Sequence, residues 1–264
     1  MKVLALALLL PGLAVFAEDP QLAALVTKGD AADSQHQTRT ALVMFRQAEQ
    51  IDPRNLGVVL RISKQYTDLI DQTKPEDAAQ RVAEKALEYA KRAVELDARN
   101  AKAHLNLAIC YGRLTDFAAS KVKLEYSKII RDETMKSLEI DPKDDYGWHV
   151  LGRWNFAVTN VNAMLRAMAA LIYGGMPAAS NEEAARCLKK AAELAPQRIL
   201  HHAELAHVYK AMGKSDLALQ EWQNTLGLRA ADGADEKYQQ EARATLEAAR
   251  TARGGNGSKF TTQR

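Results

Sequence analysis

Six histidines and two cysteines are the side chains in this sequence best suited to catalysis or metal binding. Glu204 and His207 stand three positions apart, so on a helix they share a face, and His201 lies close by. A dinuclear carboxylate site in a helix bundle needs two Glu-x-x-His pairs and further glutamates. The chain has one such pair, so no metal is expected. His104 and His202 occupy a recurring position that Trp148 fills elsewhere, which marks them as packing residues. Two cysteines can make neither a disulfide scaffold nor a tetrahedral zinc site. Cys110 and Cys187 fall on faces expected to pack and are read as buried free thiols, although an oxidising compartment would permit a bond. There is no Gly-x-Ser-x-Gly, no P-loop and no dinucleotide fingerprint. No catalytic residue and no cofactor is marked, and the chain is expected not to be an enzyme.

Binding remains, and composition narrows it. Lysine and arginine number 36 against 33 acidic residues, for a net charge of +3. A nucleic-acid binder carries a larger and more clustered excess, so that class is set aside. Apolar residues make up 47% and charged residues 26%, as in soluble globular proteins. With 14 glycines and 7 prolines in 264 residues, the turns of a β-sandwich or barrel are lacking.

Which elements would position a binding face? One phrase recurs: Ala48-Glu49-Gln50-Ile51-Asp52-Pro53, Ala93-Val94-Glu95-Leu96-Asp97-Ala98, Ser137-Leu138-Glu139-Ile140-Asp141-Pro142 and Ala191-Ala192-Glu193-Leu194-Ala195-Pro196. Each ends a helix, since proline lacks the N–H and clashes with the preceding turn. After the stops come Leu107-Ala108-x-x-Tyr111, Trp148-x-x-Leu151-Gly152 and Leu205-Ala206-x-x-Tyr209. Before them stand Ala41-x-x-x-Phe45, Ala184-x-x-x-Leu188 and, in the last segment, Ala218-x-x-x-Trp222. These are the parts of the tetratricopeptide motif. Small residues let two antiparallel helices approach, and large ones at helical spacing fill the seam.

The spacing therefore predicts an all-α solenoid of about five helix pairs near residues 22–53, 54–98, 101–142, 145–196 and 199–230. A capping helix follows over 235–252. The stops lie 45, 44 and 54 residues apart, against about 34 in a plain repeat. The first two excesses read as lengthened helices within 82–96 and 118–138. The third surrounds 160–181 and contains Met164, Leu165, Met168, Leu171, Ile172, Tyr173 and Met176. It is too short to span a bilayer. It reads as an extra helix packed on the repeats, or as one that roofs the inner face and closes an apolar cavity.

The first helix of each pair lines the inner face of such an array. It is expected to present Lys102, Leu105, Ile109 and Arg113, then Tyr146, His149, Arg153 and Phe156, then Leu200, Ala203, His207 and Lys210. Leu105 and Ile109 stand where a clamp for C-terminal carboxylates would place polar residues. An apolar wall with cations suits an acidic-apolar peptide or an anionic amphiphile. Lys121 and Lys123, two apart on a helix, splay by about 200° and read as a solvated face.

The run Lys121-Val122-Lys123, Ile140-Asp141-Pro142-Lys143-Asp144 and His149-Val150-Leu151-Gly152-Arg153-Trp154 resembles the regulator of microtubule dynamics family of tetratricopeptide proteins. Met176-Pro177-Ala178-Ala179-Ser180 and Glu182-Glu183-Ala184 extend the resemblance, which covers about residues 91–226. It implies a non-enzymatic scaffold. The family's associations include microtubules and, for one member at membrane contacts, phospholipid. The expected partner is a protein or peptide segment, with a lipid as the alternative.

At the amino end, Lys2 precedes an apolar run from Val3 to Val15, and Val15-Phe16-Ala17 precedes Glu18 in the manner of a cleavage site. Residues 1–17 read as a secretory signal peptide of bacterial type. The mature chain would be periplasmic or secreted, would meet no microtubules, and would hold no membrane span. Glycine-rich residues 253–264 read as a loose tail.

Overall fold

The computed structural model describes residues 19–175 and 178–257. The expected signal peptide and Met176-Pro177 lie outside the described residues. The elements are α1 (Pro20–Ser34), α2 (Thr38–Ile51), α3 (Leu56–Leu69), α4 (Glu76–Leu96), α5 (Ala101–Leu114) and α6 (Ser120–Ile140). Then come α7 (Asp145–Thr159), α8 (Ala163–Tyr173), α9 (Asn181–Leu194), α10 (Ile199–Ala211), α11 (Ser215–Gly227) and α12 (Gly233–Gly257). No strand occurs among the described residues.

Antiparallel pairs form from α1/α2, α3/α4, α5/α6, α7/α9 and α10/α11, each stacked on the next, with α12 against α10 and α11. The protein is an all-α tetratricopeptide-type solenoid. Both α4 and α6 run 21 residues, so the extra length of those repeats sits in the second helix. Helix α12 continues past Ala252 to Gly257, into the stretch read as tail.

The joints follow from local chemistry. In Asp52-Pro53-Arg54-Asn55 the first aspartate accepts from the Arg54 N–H at 3.0 Å, and Asn55 caps α3 through the Val58 N–H. Asp97/Asn100 and Asp141/Asp144 repeat the arrangement. Each joint thus satisfies amides that a helix start leaves unpaired. Ala195-Pro196-Gln197-Arg198 lacks both side chains, and α10 starts with no side-chain cap.

The seams are built from alanine. Ala41/Phe45, Ala184/Leu188 and Ala218/Trp222 are all buried. At Gly152 a Cβ would stand 2.7 Å from Leu188 Cγ, so only glycine lets α7 and α9 approach this closely. The array coils far enough for His36 Nε2, in the α1–α2 turn, to reach the Ala231 carbonyl before α12 at 3.3 Å.

Candidate ligand-binding face

The position six residues past each stop has one job in three repeats. His104 Nε2 contacts the Ala98 carbonyl at 2.9 Å, Trp148 Nε1 donates to Pro142 O at 2.9 Å, and His202 Nε2 contacts Pro196 O at 3.0 Å. On their other side His104 and His202 meet Glu133 and Glu221, at 2.6 and 2.7 Å. The Glu221 hydrogen bond raises the His202 pKa against the opposing effect of burial. These histidines tie the helix pairs together. In the second repeat Val59 fills the slot, and Arg92 supplies the bond to the Pro53 carbonyl. Cys110 and Cys187 are both buried free thiols; burial raises both pKa values, Cys187 to about 12.

Charged side chains run along the first helices of the array. Asp30 pairs with Arg61, Asp33 and Asp68 share Lys64, and Asp71 pairs with Arg113. Farther on, Tyr146 stacks on His149 with ring centres 5.3 Å apart. His149 Nδ1 lies 3.1 Å from His201 Nδ1, and His201 Nε2 lies 2.8 Å from Asp145 Oδ2. The carboxylate accepts the hydrogen bond from His201 Nε2–H. A neutral His201 then accepts from His149 Nδ1–H. Burial holds both imidazoles neutral, with His149 pushed down to about 3. Arg198 adds an ion pair to Asp145 at 3.3 Å.

Glu204 is the next hub. Its carboxylate receives the Tyr238 hydroxyl of α12 at 2.9 Å and lies 3.7 Å from Arg153 and 3.9 Å from His207. Burial favours its neutral form, yet His207, Arg153, His149 and Tyr238 together bring it down to about 2. His207 bridges to Glu241 of α12 at 2.9 Å, and its hydrogen bond to Glu204 raises its pKa. Glu204 and His207 therefore hold α10 and α12 together. Among the described residues no group of three or more His, Cys, Asp or Glu is arranged to hold a metal.

The expected face is thus divided. Leu105 is buried and Ile109 half-buried. Phe156 packs against Ala184, Leu188 and Leu205, in the seam between α7, α9 and α10. Lys210 is exposed. Tyr146, Arg113 and Arg153 share one electrostatic field: burial raises the Tyr146 pKa, Arg153, Arg198 and Arg113 pull it back, and Asp68 adds to the rise. The Tyr146 hydroxyl has no hydrogen bond among the described residues, and the Arg153 side chain is 61% exposed. Sequence reasoning missed Asp145, Arg198, Tyr238 and Glu241. Asp145 stands four before His149 on α7, a usable signal; the α12 residues carried none.

Helix α8 touches α6 and is tied to the end of α7, where Arg166 donates to the Thr159 carbonyl at 3.1 Å. Met164 and Leu171 on it are 65% and 88% exposed. No helix among the described residues is long and apolar enough to cross a membrane.

The chain is similar to two proteins of solved structure at the level of fold. A thermophilic TPR protein of Thermus thermophilus matches with a TM-score of 0.63 and 17% identity, over 85% of this chain and 98% of that one. The pilF protein of Pseudomonas aeruginosa matches at 0.53 and 15%, over 86% and 88%. Among curated relatives, mouse Regulator of microtubule dynamics protein 1 is 28% identical over 59% of this chain and 50% of its own length. Xenopus laevis Regulator of microtubule dynamics protein 3 is 25% identical over 76% of this chain and 44% of its own. The chain spans about half the length of these relatives. Residues 25–250 match the family described as Regulator of microtubule dynamics protein 1-3, and the chain belongs to that family.

Proposed function

We propose that this chain is a non-enzymatic scaffold whose inner face binds a segment of a partner protein carrying acidic and apolar side chains. The observation that carries the reading is the Tyr146 hydroxyl, without a hydrogen bond among the described residues, in a field where Arg153, Arg198 and Arg113 are opposed by the single carboxylate of Asp68. Among the described residues Arg153 has one ion-pair partner, Glu204, and meets it at only 3.7 Å, so its donors stay available to a carboxylate. A lipid carrier would need α8 as a roof. The apolar side chains Met164 and Leu171 of α8 stand in solvent rather than closing a cavity, which favours the peptide reading instead. The order of Lys2, the apolar run and Val15-x-Ala17 supports export to the periplasm or beyond, away from microtubules and nucleic acid.

The test is a titration of an acidic-apolar peptide library into the parent and Arg153→Ala proteins. Binding should weaken by about 1.5–3 kcal/mol, the worth of a charge-assisted hydrogen bond. The melting temperature should hardly move. Parental binding together with easier unfolding would make Arg153 a structural residue and remove the anchor of this reading.

A further inference from the structure

The opposite side of α7 holds a cavity that the inner-face reading does not use. Its volume is about 540 Å³, and it lies between α6 and α9 with α7 as the floor. Trp148 and Leu151 of α7 face Met135 and Leu138 of α6 across it. Met135 is 39% exposed, one of the few large apolar side chains left in solvent. Two of the chain's three tryptophans, Trp148 and Trp154, border the cavity.

The charges around it are unevenly satisfied. Arg186 lies over the Trp148 ring at 5.3 Å and is held by both oxygens of Glu183, at 2.9 and 2.6 Å. Arg131 lies over the Trp154 ring at 5.8 Å and has no ion pair among the described residues. Glu139, exposed on the same face of α6, has none either. Eight residues separate Arg131 from Glu139, about 12 Å along the helix axis. Four residues of extended chain cover about 13 Å. Residues i, i+2 and i+4 of such a chain point the same way.

The geometry points to a second docking surface, where an extended segment of a partner protein lies along α6. An acidic residue pairs with Arg131, an apolar side chain two positions on enters the cavity, and a basic residue two further on pairs with Glu139. The motif is acidic-x-apolar-x-basic, read along α6 from Arg131 to Glu139. This surface is separate from Tyr146 and Arg153, which lie on the other side of α7.

The probes are capped, labelled pentapeptides Glu-Ser-Leu-Ser-Lys and Lys-Ser-Leu-Ser-Glu, which sample both chain directions, and a Glu-Ser-Ser-Ser-Lys control. Anisotropy gives affinity, and tryptophan emission reports on the cavity. A leucine peptide should bind the parent and perturb the emission, and the control should not bind. Arg131→Glu should weaken that peptide at least tenfold, and Lys in place of its acidic residue should restore binding. Glu139→Lys, on an exposed residue that cannot disturb the core, should act in the mirror sense. Arg153→Ala should leave this binding at the parental level, so this surface and the inner face succeed or fail separately. The proposal is overturned if no leucine peptide binds below about 1 mM, or if the swapped peptide fails to recover binding. It is also overturned if N-acetyl-leucinamide competes as well as the pentapeptide, or if the variants instead abolish self-association in sedimentation.

Discussion

Gly152 is where α7 and α9 come closest, and the cost of filling that space can be measured. A leucine there would overlap Leu188 and press on the Ala184 carbonyl, which stands 3.2 Å from where a Cβ would be. Overpacking of this kind costs about 1–3 kcal/mol, so Gly152→Leu should lower the melting midpoint clearly. An unchanged midpoint would refute the close approach. The buried pair His149 and His201 makes a second prediction at this level. Burial keeps both neutral in the fold, whereas the unfolded chain protonates them near pH 6.5. Their contribution is therefore full above about pH 6.5 and declines as the pH falls toward the folded value, about 3 for His149. At pH 4 the loss from His149 alone is on the order of 3 kcal/mol. His149→Gln should flatten the fall in stability between pH 7 and 4, as read by urea unfolding at each pH. His202 and His207 have raised pKa values and act in the opposite sense, fading as the pH rises through their folded values.

Among the helices, α8 is the one whose two sides have the most different consequences. Ala169 is 1% exposed, while Leu171 is 88% exposed. Leu171→Glu should change stability by no more than about 0.5 kcal/mol, as surface substitutions do. Ala169→Asp buries a charge without a partner and should cost more than about 2 kcal/mol. Equal effects of the two in thermal unfolding would mean that α8 does not pack as described. The same comparison explains why the 160–181 stretch was ambiguous in sequence. Its eleven helical residues contain one charge, Arg166, so hydrophobic periodicity marks no single packing face.

For the array as a unit, α12 carries the most risk. It covers Trp222, which is 1% exposed, through a cluster that includes Ala242, Tyr238 and Leu246. It also supplies Tyr238 to Glu204 and Glu241 to His207. Truncation after Ala230 should uncover that cluster and cost about 3 kcal/mol or more, from lost apolar burial and an under-bonded buried carboxylate. A truncated protein that melts with the full chain would show α12 to be dispensable. Export belongs to this level too. N-terminal sequencing of protein from the producing cell should find Glu18 first, and a chain still starting at Met1 would refute cleavage.

The repeat was legible because each part of it is a local rule. Proline or a capping aspartate ends one helix and starts the next within four residues, and Ala-x-x-x-Phe spacing places small and large side chains on one face. Gly152 and the shared slot of His104, Trp148 and His202 were readable for the same reason, since each acts within its own helix pair or its nearest joint. The charged inner face was not legible. Arg153 finds Glu204 across two helices, Glu204 finds Tyr238 thirty-four residues away, and His201 finds Asp145 fifty-six residues back. Those pairings depend on how far the array coils and on where α12 lands, and no local pattern encodes either. The cavity behind α7 has the same origin. Its lining comes from three helices with Pro142 and Ala178, and only their packing brings Met135, Trp148 and Arg186 around one space.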